Sequence, residues 1–145
     1  MHEIFFSVII PTYNQATFLE KAINSVLKQS YNNYEIIIID NYSTDETQKI
    51  VDNFDQKKIV YKKINNNGVI GKSRNEGIKL SKGEWVAFLD SDDIWHNDKL
   101  KKIYEEIGKK NFDVICNDEY WVYKNKNKKI ARYGPYKKNF YKYLL

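Results

Sequence analysis

Four isoleucines in a row, Ile36, Ile37, Ile38 and Ile39, run directly into Asp40 and Asn41. A half-exposed strand alternates apolar and polar residues, whereas a strand buried on both faces reads as a continuous β-branched run. Burial of that kind needs a layer on each side, which a parallel sheet covered by helices supplies. Residues 5–10, ending Val-Ile-Ile before Pro11, form a second such run. Between the two, Leu19, Ala22, Ile23, Val26 and Leu27 fall on one helical face, and Thr17 with Glu20 predicts a capping box at its start.

The alternation continues. Ser43 with Glu46 predicts another capping box, followed by the apolar stripe Ile50, Val51 and Phe54 and a strand over 59–63. A turn-rich stretch at 65–68 leads into a helix over 71–80 and a strand over 85–89. Next comes a helix with Leu100, Ile103, Tyr104 and Ile107 on one face, and a last strand over 112–116. Strands and helices at this spacing predict an α/β fold: a doubly wound, mostly parallel sheet with helices on both faces.

At 145 residues, with 42% hydrophobic content, the chain is long enough for one core. One domain is expected over residues 1–123, followed by a basic, Lys- and Tyr-rich hairpin or tail over 124–145. The net charge of +5 is concentrated in that tail, whose eight lysines and arginines have no acidic partner; without them residues 1–123 carry −3. A solvated surface is the expectation there, with peripheral contact at an anionic membrane face as the alternative. No nucleic-acid partner is expected. The single cysteine, Cys116, excludes an intramolecular disulfide and reads as a core residue of a cytoplasmic protein. No leader peptide and no apolar run of membrane-spanning length is predicted.

Ligands of doubly wound sheets bind beyond the carboxyl ends of the strands. Three polar groups stand there: Pro11-Thr12-Tyr13-Asn14, Asp40-Asn41 and Asp90-Ser91-Asp92-Asp93. The last contains a D-x-D, two carboxylates placed for a hard divalent ion shared with a diphosphate. Taken alone, the same aspartates also suit a turn or a helix N-cap.

The segments SVIIPTYNQ, EIIIIDNYSTDET, NNNGVIGKSRNEGI and KGEWVAFLDSDDIW, in this order and spacing, resemble the family 2 glycosyltransferases over nearly all of residues 5–110. The resemblance implies the GT-A fold and an inverting, metal-dependent transfer of sugar from a nucleoside diphosphate to an acceptor hydroxyl. It places Pro11, Thr12 and Tyr13 around the base, with Asp40 and Asn41 where many relatives carry two aspartates, the second accepting a hydrogen bond from the uracil N3 proton. The carbonyl of Asn41 can accept that bond, without charge and with an added donor. The implied donor is therefore a UDP-sugar first, with thymidine and guanosine sugars open. Asp90 and Ser91 are implied at the ribose, and Asp92 at Mn²⁺ or Mg²⁺. Arg74 can reach phosphate if its helix points at the site, whereas Lys72 reads as surface.

The general base of such enzymes is expected beyond residue 145, leaving catalytic residues unassigned, with Asp118 and Glu119 read as turn or acceptor-side groups. Cell-surface polysaccharide or glycan synthesis on a glycan or lipid-linked acceptor is the implied setting, and pairing through an uncovered sheet edge would give a homodimer. Gly68 and Gly71 are expected to serve backbone geometry, and Trp85, Trp95 and Trp121 packing, with Trp95 also placed to line the sugar pocket. A dinucleotide-binding dehydrogenase would need G-x-G-x-x-G where this chain has Pro-Thr-Tyr-Asn. A phosphate-receiver domain would leave the Asp90 cluster unexplained. A non-catalytic nucleotide-sugar or polyanion-binding module is the remaining alternative.

Overall fold

The computed structural model describes residues 3–110, 112–122 and 128–131. The chain divides into two compact units, Met1–Lys109 and Lys110–Leu145. In the first unit, β1 (Phe6–Thr12), β2 (Tyr34–Asp40), β3 (Ile59–Lys63) and β4 (Trp85–Phe88) form a parallel sheet in the order β3-β2-β1-β4. Four helices belong to the same unit: α1 (Ala16–Leu27), α2 (Thr47–Asp52), α3 (Ile70–Leu80) and α4 (Lys99–Ile107). The doubly wound α/β architecture expected from the strand runs is therefore present.

Both isoleucine-rich strands are buried along their whole length. Alternation divides their side chains between two cores. Phe6, Val8, Ile10, Ile36 and Ile38 pack with Leu19, Ile23 and Val26 of α1 and Leu100 of α4. On the opposite face Ile9, Ile37 and Ile39 pack with Leu80 of α3. Gly77 of α3 lies so close to the sheet that a Cβ there would meet Ile9 Cγ2 at 2.4 Å. Each fully buried isoleucine contributes about 1.5–3 kcal/mol, which is why an uninterrupted apolar run is tolerated only between two layers.

Opposite the carboxyl ends, a buried polar cluster ties the strands together. Glu35 Oε1 accepts from Ser7 Oγ at 2.7 Å and from the Lys82 amide at 2.7 Å, and Ser7 Oγ accepts from the Gly83 amide at 2.8 Å. A buried carboxylate is tolerable only when hydrogen-bonded in this way.

Neither expected capping box forms. Gln15 and Glu46 precede α1 and α2 without a side-chain cap. Asp45 does the work for both helices: Oδ2 accepts from the Ala16 amide at 3.0 Å, while Oδ1 accepts from the Thr47 amide at 3.1 Å and from Thr47 Oγ1. The pairs Thr17/Glu20 and Ser43/Glu46 have the right spacing, but α1 begins at Ala16, which puts Thr17 inside the helix, and Ser43 Oγ is engaged by Asp40 Oδ1. Partial desolvation opposes the charged form of Asp45, yet the hydrogen bonds from Thr47 and Ala16 outweigh it and hold the carboxyl below its usual range. A depressed folded-state value means stability that is present above about pH 4 and is lost as pH falls through the lower folded value. Asp45→Asn should therefore unfold at a lower temperature than the parent at pH 7, and the gap should close as the pH is lowered below 4. A gap that persists into acid, followed by circular dichroism, would contradict this role.

In the second unit, β5 (Glu119–Val122) and β6 (Lys128–Ala131) form an antiparallel pair. Residues 112–116 are not the expected strand but lack regular structure. Cys116 is exposed rather than buried. The reason is visible in the same segment, where Val114 is 74% and Phe112 37% exposed, so no burial rewards extension. Of the expected basic hairpin or tail, residues 124–127 and 132–145 lie outside the described residues. Among the described residues no helix is long and apolar enough to cross a membrane.

Candidate nucleotide and metal site

The sheet order reverses between β1 and β4, since β2 and β3 lie on one side of β1 and β4 on the other. Strand β4 pairs only with Phe6 to Ile9 of β1, and beyond that register the two chains part. A cleft of about 410 Å³ opens at this switch point. Pro11, Thr12, Tyr13 and Gln15 after β1 and Asn41 after β2 form one part of its lining; Asn66, Gly68, Ile70 and Ser73 around the start of α3, with Asp90, Ser91 and Asp92 after β4, form the rest. A crevice beyond the carboxyl ends at a topological switch is where such sheets take ligands.

Its walls are held by hydrogen bonds between loops. The Asn41 amide donates to the Thr12 carbonyl at 3.0 Å, and the Asn14 amide donates to Ser43 Oγ at 2.9 Å. Asn14 Oδ1 accepts from the Thr44 amide at 2.8 Å. Across the cleft Ser91 Oγ donates to Gln15 Oε1, joining the strand ends of β1 and β4. Non-glycine residues with left-handed backbone gather in these loops: Asn14 at φ 51°, Tyr42 at 54° and Asn67 at 56°, beside Gly68 at 75°. Conformations of this kind cost energy and are commonly retained where a site needs a particular loop shape.

The expected site residues take different places. Tyr13 is 56% exposed, so its ring forms an open wall with aromatic area to offer. Thr12 is buried, and among the described residues its Oγ1 has no hydrogen-bond partner although the residue lines the cleft. A buried hydroxyl left unsatisfied costs about 1–3 kcal/mol, and a bound polar group would remove that cost. Asp40 is fully buried and does not line the cleft. Its Oδ1 accepts from the Ser43 amide at 2.9 Å and from Ser43 Oγ, and its Oδ2 accepts from the Tyr61 hydroxyl. Burial, then the hydrogen bond to Asp40, pushes the Tyr61 hydroxyl well above its ordinary value, so it stays a donor at all working pH. Asp40 thus shapes the loop that carries Asn41.

Asp90 is half-exposed and receives Arg74 Nη2 on Oδ1 at 2.8 Å. The guanidinium also stands over the Phe88 ring at 5.7 Å, and its Nε is buried with no hydrogen-bond partner among the described residues. Arg74 therefore reaches the site through Asp90 rather than through the lining itself. Asp92 is exposed within the cleft, and the Asp93 amide closes a turn on the Asp90 carbonyl at 3.0 Å. Trp95 is buried in the core, where Lys99 Nζ stands 4.3 Å from its ring, so it packs and does not line the cleft. Lys72 is exposed and outside the lining.

Gln15, Asn66, Ile70 and Ser73 line the cleft without being singled out from sequence. Gln15 belongs to the PTYNQ segment and Asn66 to NNNG, but neither carries a charge or an aromatic ring to mark it. Among the described residues no three His, Cys, Asp or Glu side chains are grouped to cage a metal. An exposed cleft carboxylate such as that of Asp92 is an oxygen donor of the kind a hard cation takes when phosphate oxygens and water complete its shell.

The family model for "Glycosyl transferase family 2" matches residues 7–144. This chain belongs to glycosyltransferase family 2. An uncharacterised glycosyltransferase of Mycoplasma genitalium is 41% identical over 91% of this chain and 47% of its own length. The putative teichuronic acid biosynthesis glycosyltransferase TuaG of Bacillus subtilis is 40% identical over 68% of this chain and 40% of its own. The crystal structure of Staphylococcus aureus TarS 1-349 in complex with UDP superposes with a TM-score of 0.69 at 35% identity, covering 73% of this chain and 32% of that one. A Pyrobaculum calidifontis mannosyltransferase in complex with GDP-Man and Mn²⁺, at 22% identity and a TM-score of 0.68, shares the fold. The chain spans less than half the length of these relatives.

Proposed function

We propose that the cleft binds a nucleoside-diphosphate sugar, a UDP-sugar first, for inverting transfer to the hydroxyl of a glycan or lipid-linked acceptor in cell-surface polysaccharide synthesis. The observation that carries this reading is the convergence of Thr12, Tyr13, Asn41 and Asp90 to Asp92 on one cleft at the switch point of the sheet. Pro11, Thr12 and Tyr13 surround the base with Asn41, while Asp40 fixes the loop behind it. Asp90 and Ser91 take the ribose, with Arg74 setting the Asp90 carboxylate. Asp92 would hold Mn²⁺ or Mg²⁺, which when bound offsets the charge of the departing diphosphate. No general base is assigned among the described residues. TarS binding UDP and UDP-GlcNAc supports the donor class, as do relatives named for teichuronic acid and poly(ribitol-phosphate) glycosylation.

A thermal-shift panel of UDP, GDP and dTDP, each with Mn²⁺ or with chelator, tests the reading. At a ligand concentration near 100 times Kd, binding stabilises by about 2.7 kcal/mol, a rise of roughly 5–15 °C for a unit of this size. The expected result is a rise with UDP that requires Mn²⁺. No rise with any nucleotide, together with a salt-sensitive rise on an oligonucleotide, would favour a polyanion-binding module instead.

A further inference from the structure

The cleft residues Tyr13 and Asn41 sit in turns built alike. Each is followed at once by a residue with left-handed backbone, Asn14 at φ 51° and Tyr42 at φ 54°. Non-glycine residues keep such conformations only where their surroundings fix them several times over. Here the fixing runs through one chain of hydrogen bonds that starts outside the cleft. The Tyr61 hydroxyl on β3 donates to Asp40 Oδ2, while Asp40 Oδ1 accepts from the Ser43 amide at 2.9 Å and from Ser43 Oγ. With its proton committed to Asp40, Ser43 Oγ has only lone pairs left, and it accepts the Asn14 amide at 2.9 Å. Asn14 Oδ1 closes the link by accepting from the Thr44 amide at 2.8 Å. Asp40 is fully buried, and Tyr61 packs against the core and does not line the cleft.

We propose that Tyr61 is a positioning residue for the nucleotide: it touches no ligand, but through Asp40 and Ser43 it holds the two turns that carry Tyr13 and Asn41. The proposal rests on the nucleotide-binding reading of the cleft. Removing the Tyr61 hydroxyl takes from Asp40 Oδ2 the donor it has, and a buried carboxylate short of a donor is costly. Relief comes by admitting water or by turning toward other donors, and either course disturbs Ser43 and with it the Asn14 amide. If the turns then hold their competent shape about a tenth of the time, the apparent Kd rises about tenfold. The same kind of loss at the opposite end of the sheet has no such route. There Ser7 Oγ donates to Glu35 Oε1 at 2.7 Å, another hydroxyl on another buried carboxylate, whose bonded neighbours are the Lys82 and Gly83 amides rather than the cleft loops.

Tyr61→Phe keeps the packed ring and removes the donor, and Ser7→Ala is the matched control. Titration calorimetry with UDP and Mn²⁺, at a temperature where circular dichroism shows every variant folded, separates positioning from stability. The expected result is UDP affinity about tenfold weaker in Tyr61→Phe and within about twofold of the parent in Ser7→Ala, although both melt earlier. Ser43→Ala should lose at least as much as Tyr61→Phe, and the double variant no more than Ser43→Ala alone, since both substitutions break one chain. Unchanged affinity in Tyr61→Phe, an equal loss in Ser7→Ala, or a double variant weaker than Ser43→Ala by a further tenfold or so overturns the proposal. Failure of the parent to bind UDP overturns the nucleotide-binding reading itself. The two failures are distinguishable, because the Asn14 and Thr44 amide resonances of the free protein would still move in Tyr61→Phe and stay in place in Ser7→Ala.

Discussion

Replacing Asp92 by alanine should lower Mn²⁺-dependent UDP affinity by about 100-fold or more, the scale on which metal sites respond to loss of supporting groups. Asp93→Ala should cost far less. Asp92 lies within the cleft lining, whereas the Asp93 backbone closes the turn that presents it. On the proposed reading the ion would depend on Asp92 and on the diphosphate together, so metal and nucleotide should each tighten the other by the same factor. Calorimetry of UDP in Mn²⁺ and in chelator checks both statements. Equal affinity in chelator, or a larger loss from Asp93→Ala, would remove Asp92 from the metal.

Gly83→Ala should destabilise the first unit by about 3 kcal/mol, at the upper end of what an inserted methyl costs in a packed interior. A Cβ at Gly83 would lie 2.5 Å from the Ser7 nitrogen and 2.8 Å from both the Phe5 oxygen and the Phe6 carbonyl carbon. Those are backbone atoms at the start of β1, so relief requires moving the strand and breaking the Glu35 to Ser7 to Gly83 hydrogen bonds. Gly68 offers the contrast. It holds φ 75° but a Cβ added there would meet nothing within 4 Å, so Gly68→Ala carries only a conformational cost of about 1 kcal/mol. Urea unfolding of the two variants should show the larger loss at position 83; the reverse order would contradict the packing described.

The features legible in the sequence are those whose physics is local. Unbroken isoleucine runs need two covering layers, and that fixed the strands and the two-sided core. The strand-end position of Thr12, Asn41 and Asp90 follows once those strands are parallel, which brings distant residues to one edge. Interactions between loops were not legible. Asp45 meets the Thr47 amide by a local two-residue step, but its bond to the Ala16 amide spans 29 residues, and Gln15 meets Ser91 across 76 residues of sequence. The segment at 112–116 has strand-like residues, yet Val114 stays exposed, because β propensity acts only where a neighbour buries the side chain. Asp40 shows the same limit at the site: its place at a strand end is readable, but its engagement by Ser43 and Tyr61 depends on a residue 21 positions away.

Backbone amide NMR during titration with UDP and Mg²⁺, repeated with Mn²⁺ for paramagnetic broadening, tests the central claim most directly. The account predicts shifts that cluster on residues 12–15, 41, 66–73 and 90–92, with broadening strongest around Asp92. Shifts confined to the opposite end of the sheet, around Ser7, Glu35 and Gly83, or broadening that leaves residues 90–92 sharp, would contradict it.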